Sequence, residues 1–275
     1  MRLPMNNNIL AVTLISFREG LRHRVLYVAL IFALLVMFFS ILVSGFFLRD
    51  ISKVTIDLCL AAVNIGGLLV PFFLAVDLLA KDIERRTVFT ILARAISRNE
   101  YILGKFGGLI LLTGAIMGVL TCAALGAIWS GIQLYGEVYF SGLSWSAVLI
   151  AIGTSYLGMI VLNAVVIMWC SVTTSSFLAT LLTLFTYVIG QTVEDVVRFV
   201  SVKTPDVEIA PILQKAANLT LYIFPNLAAF DFKLEAAHGI SMPAGFLFFL
   251  FLYAIGYSAV VLSVSILIFR RRDLT

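Results

Sequence analysis

The chain has 275 residues, of which 61% are hydrophobic and 12% charged, with a mean hydropathy of +1.08. Soluble domains carry about 25% charged residues, so this composition excludes an ordinary soluble protein and leaves little room for a soluble enzyme domain. The net charge of +4 and pI near 9.0 do not point to nucleic acid, because the basic residues flank apolar stretches, as the positive-inside rule expects.

Residues 1–24 open the chain. Leu10, Leu14, Phe17 and Leu21 form one apolar stripe at helical spacing, with Arg18, Glu19 and Arg22 off it. A basic helix too polar to insert is expected to lie in the membrane interface. Six spans follow: 25–48, 58–76, 106–133, 145–170, 177–192 and 244–269. The first apolar run, about 24 residues, is too long for the 7–15 residue core of a signal peptide. Arg49, Asp50, Lys53 and Asp57 read as a short turn before the second span, and Pro71 is expected to kink that span.

Residues 77–105 are the one long charged segment between two spans. Within it Val88, Ile91, Leu92 and Ala95 share a helix face, opposite Arg86, Thr90, Arg94 and Ser97. Ser97-Arg98-Asn99-Glu100 reads as a capping box that starts a new helix. Asp77, one helical turn before Lys81, is expected to pair with it. The uncharged SVTTSS run, residues 171–176, reads as the turn between the fourth and fifth spans. An outer segment, 194–242, is expected to hold an amphipathic helix around Ile209–Ala216, a break at Pro225, and a second short helix stopped by Gly239. The tail, 270–275, begins with three arginines.

With both termini inside, thirteen basic residues lie on the cytoplasmic side against six outside. This predicts a multi-pass protein of the cytoplasmic membrane with 77–105 in the cytoplasm. Asn64 and Asn163 are the only strongly polar residues well inside the spans, so they are the candidates to line a translocation path, which is otherwise apolar and suited to a hydrophobic or amphiphilic cargo. Cys59, Cys122 and Cys170 sit at unrelated spacings and read as packing residues. His23 and His238 have no partners at metal spacing. There is no G-x-x-x-x-G-K-[ST] loop and no nucleophile–base pair, so no catalytic, metal or cofactor residues are expected in this chain.

Three short patterns carry a resemblance: E-x-x-T at Glu84 and Thr87, I-L-x-R-x-I-S-R from Ile91 to Arg98, and Y-I-L-G-K from Tyr101 to Lys105. Together with the late Phe224-Pro225-Asn226-Leu227 and the basic ending, they resemble the ABC-2 type permeases, membrane subunits of ATP-driven transporters. The branch that looks most similar includes permeases linked to multicopper-enzyme maturation. Arg86 stands where such proteins often have Gly, and Ala95 where they often have Pro. The resemblance implies an all-α integral membrane fold with a coupling helix between the second and third spans. It implies that Glu84, Arg86, Thr87, Arg94, Ser97, Arg98 and Lys105 dock a separate ABC ATPase, which would use ATP and Mg. It also implies a second permease subunit, identical or homologous, alongside membrane lipid. A non-transporting membrane anchor or assembly factor is the alternative, and a stand-alone secondary transporter a further one.

Overall fold

The computed structural model describes residues 5–47, 50–79, 96–201, 219–220, 223–240 and 242–271, and among them all regular secondary structure is helical. The long helices are α1 (Met5–Leu21), α2 (Arg24–Ser44), α3 (Ile51–Leu69), α4 (Arg98–Tyr135), α5 (Trp145–Val172), α6 (Ser176–Ser201) and α8 (Ala244–Arg271), with the short α7 (Lys233–Ala237) before the last. Five of these are long and apolar enough to cross a membrane: α3 with its continuation to Leu79, α4, α5, α6 and α8. α2 carries no charge after Arg24, and its stretch Leu30–Ser44 counts, among the described residues, as a shorter apolar helix.

Several boundaries differ from the expected ones for local reasons. Most of the expected turn at 49–57 is helix, because Lys53 pairs with Asp50 at 2.9 Å across its first turn. α6 runs on to Ser201 rather than ending at Thr192, carried by a Glu194–Arg198 pair at 3.2 Å one turn apart. The start of α4 at the Ser97 cap is as expected, ahead of the span at 106, and its 38 residues reach about 57 Å at 1.5 Å per residue. Pro71 does not break α3. It lies in a π-helical stretch, Val70–Ala75, where the wider turn accommodates the missing N–H and the chain resumes α-helix to Leu79.

α5 is the central post, with α3, α4, α6 and α8 packed around it. Small residues set the closest approaches, as membrane helices require. Gly66 and Gly67 of α3 face Leu120 and Met117 of α4, and a side chain at Gly66 would have to displace the Leu120 methyl. Hydroxyls inside the helices bond to their own backbone, as Thr113 does to the Leu109 carbonyl and Ser171 to that of Ile167, both at 2.8 Å. Cys59 and Cys170 are buried and Cys122 is exposed.

α1 lies along the first turns of α4, but not on the face its leucines suggest. Val12, Thr13, Ser16 and Gly20 are buried against Gly104, Gly107, Gly108 and Leu112, while Leu10, Leu14, Ile15 and Leu21 stay exposed. The reason is steric: α4 offers a glycine groove into which only small or β-branched side chains fit.

Candidate functional site

One end of the bundle collects the start of α4, the ends of α3 and α8, and α1. Ser97 caps α4: its Oγ accepts from the Glu100 N–H at 3.3 Å, and Glu100 Oε2 accepts from the Ser97 N–H at 2.7 Å. The expected capping box is therefore present, and Asn8 of α1 adds a third bond, donating to Glu100 Oε1 at 3.4 Å. Next to it, Arg98 Nη1 donates to the carbonyls of Phe269 and Arg270 at 2.9 and 2.7 Å. Both carbonyls belong to the last described turn of α8, where a cation suits the negative end of the helix dipole. Arg270 Nε donates in turn to Asn99 Oδ1 at 2.9 Å, and the Tyr101 and Phe269 rings stack at 5.9 Å.

Lys105 goes inward. It is 3% exposed; its ammonium donates to the Leu78 carbonyl at 2.9 Å, lies 3.7 Å from Glu19, and sits over the Tyr101 ring. It ties α3, α4 and α1 together and does not present its charge outward. Asp77 pairs with His23, Nε2 to Oδ2 at 3.0 Å, which links the α1–α2 corner to the end of α3. Glu84, Arg86, Thr87 and Arg94, with Lys81, lie outside the described residues.

The two asparagines separate. Asn163 is 0% exposed, between α5 and α4, where its Nδ2 donates to Thr113 Oγ1 at 2.9 Å. It bridges two helices of one chain, and it is not among the residues that line the cavity Asn64 reaches. Asn64, 7% exposed, does reach a cavity of about 20 Å³, room for one water. Ser155, Tyr187, Gln191 and Asp231 also line it.

Asp231 is there because the segment before α7 descends into the bundle. Phe230 packs on Gly158, half-way along α5, and Tyr257, half-way along α8, donates to the Ile223 carbonyl at 3.1 Å. Non-helical backbone at such depth must find partners within the protein, and it does. The Leu227 N–H donates to the Gly190 carbonyl at 2.9 Å, the Asn226 N–H to Tyr253 Oη at 2.9 Å, and the Ala229 N–H to Asn226 Oδ1 at 3.3 Å. Asn226 Nδ2 donates to Glu194 of α6 at 3.0 Å. A segment expected wholly outside the spans thus reaches their middle. The apolar stretch from Leu219 to Phe230 is a sequence signal for this, since it is too short to cross and too apolar for an outer loop. The expected helix around 209–216 lies outside the described residues; the second one is α7, ended by Gly239 in the left-handed region at φ +66°.

Among the described residues, no three His, Cys, Asp or Glu side chains gather as a metal site would need. A family profile described as "Protein of unknown function (DUF2705)" matches residues 25–275. The chain belongs to the DUF2705 family. Within this DUF2705 protein the match takes in α2 to the tail, so the capped junction and the descending segment both fall inside it, while α1 precedes it. No curated protein matches the chain.

Proposed function

We propose that this chain is the permease subunit of an ATP-driven exporter of ABC-2 type, in which 77–105 docks a separate ATPase on the cytoplasmic face. The reading takes six spans, α2 included, with both termini cytoplasmic in the inner membrane, and a second permease subunit beside this one. Its cargo is hydrophobic or amphiphilic, and ATP with Mg is consumed by the partner. The observation that supports it most is the anchorage of α4. Within that segment Ser97 caps α4 and Arg98 is bound to the last described turn of α8, so a displacement of 80–96 would pass into two membrane helices. In this reading Glu84, Arg86, Thr87 and Arg94 meet the ATPase, while Ser97, Arg98 and Lys105 relay its movement.

The test is capture and transport together. Photo-crosslinking from positions 84, 86 and 94 in native membranes should trap an ATPase, and Glu84→Ala or Arg94→Ala should abolish ATP-dependent transport in vesicles without preventing insertion. Failure to capture any ATPase, with the protein inserted and folded, defeats the reading and leaves the membrane-anchor alternative.

A further inference from the structure

α6 and α8 both pack on α5 rather than on each other, and a groove of about 510 Å³ opens between them. Its walls include Met168 and Trp169 of α5, Phe224 of the descending segment, and Gly256, Val260 and Val264 of α8. The polar groups along it are turned to protein partners. Trp169 Nε1 donates to Thr186 Oγ1 at 3.0 Å, Tyr257 Oη to the Ile223 carbonyl, and Tyr253 Oη accepts from Asn226. What faces the groove is mostly carbon, which offers water few partners.

The charge next to it says what kind of occupant fits. Residues 260, 264 and 271 fall on one face of α8, at spacings of four and seven. Arg271 is exposed, about 10 Å beyond Val264 along the axis. Arg270 adds a second positive charge beside it, its Nε already on Asn99. An apolar groove with a cationic end matches a molecule with an apolar tail and an anionic head.

We propose that the groove holds an acyl chain of an anionic phospholipid whose phosphate is bound at Arg271. This rests on the membrane-embedded reading of the chain and not on ATPase docking, so a failure to capture an ATPase leaves it untouched.

Native mass spectrometry of the full chain in detergent, with dioleoyl phosphatidylglycerol or dioleoyl phosphatidylcholine added, tests it. The native chain should retain phosphatidylglycerol in preference to phosphatidylcholine. Arg271→Ser should lower that preference about fivefold, the worth of one arginine near an anionic surface. Gly256 has open space where a side chain would go, so Gly256→Phe should fill the groove and cut retention of both lipids. Gly118→Phe, on an equally open site of α4, should not. Val264→Trp repeats the groove test should Gly256→Phe fail to fold. Unchanged phosphatidylglycerol retention in the folded groove variant and in Arg271→Ser would show ordinary annular lipid only and overturn the proposal. A groove variant that breaks a dimer without changing lipid retention would overturn it in favour of a second copy.

Discussion

Arg98, one residue into α4, closes the end of α8 by donating to the Phe269 carbonyl at 2.9 Å and to that of Arg270 at 2.7 Å. A hydrogen bond from a charged donor contributes about 1.5–3 kcal/mol, toward the lower end where solvent reaches it, as at Arg270. Arg98→Ala should therefore lower stability in detergent by about 1–2 kcal/mol and raise amide exchange at Leu267–Arg271 while leaving Ala254 protected. Exchange unchanged at the end of α8 would refute this cap.

The Ser97 box makes a narrower prediction. Ser97→Ala removes the side-chain acceptor and should cost about 1 kcal/mol, with faster exchange at the Glu100 and Tyr101 amides. Glu100→Gln keeps the reach back to the Ser97 N–H and should cost less than Glu100→Ala, which also drops the bond from Asn8. Equal losses for the two Glu100 variants would count against the reciprocal geometry.

At Lys105 two partners can be told apart. Glu19 is half exposed, so Glu19→Gln should change stability by no more than about 0.5 kcal/mol. Lys105→Met leaves the Leu78 carbonyl without this donor and should cost about 1–3 kcal/mol. Thermal midpoints in one detergent decide between them, and a larger effect from Glu19→Gln would reverse the assignment.

The seat of α1 is tested by bulk. A side chain at Gly108 would meet the Ser16 Cβ at 2.6 Å and the Thr13 carbonyl at 3.0 Å. Overpacking of this kind costs about 1–3 kcal/mol. Gly108→Leu should lift α1 from α4, read as loss of a disulfide between cysteines placed at Asn8 and Glu100, while Gly118→Leu on the open side should leave it intact. Crosslinking retained in Gly108→Leu would sink the docking described.

For Asn163 and Thr113, a double-mutant cycle of Asn163→Leu and Thr113→Val should give a coupling near 0.6 kcal/mol, the usual worth of a hydrogen bond between membrane helices. No coupling would show that the two side chains act separately.

Local chemistry is what the sequence exposed. Long apolar runs marked the helices, Ser97 and Glu100 announced their cap three residues apart, and Gly239 ended α7. The misses are long-range. Nothing near Arg98 in the chain indicates that its partners are 171 and 172 residues away, or that Asp77 meets His23, 54 residues back. For Lys105, read on resemblance as part of the docking segment, only the arrival of α3 and α1 around it turns its charge inward. Asn163 signalled a polar need inside an apolar helix, but that Thr113 is the partner depends on which helix stands opposite. Pro71 gave notice of a backbone problem, and packing chose a widened turn as its solution.

That widened turn makes the two helices flanking 80–95 mechanically unlike. α4 has no proline from Arg98 to Tyr135 and is pinned at both ends, to α8 by Arg98 and to α2 by the Tyr135 hydroxyl on the Ile41 carbonyl at 2.7 Å. It is one unbroken rod. α3 carries a surplus of backbone at Val70–Ala75, and such a surplus can migrate along a helix by exchanging one hydrogen-bond register for the next, rotating the side chains it passes. A pull on the shared segment would tilt one helix and twist the other, and Asn64, less than two turns from the π stretch, is the polar side chain such a rotation would carry first.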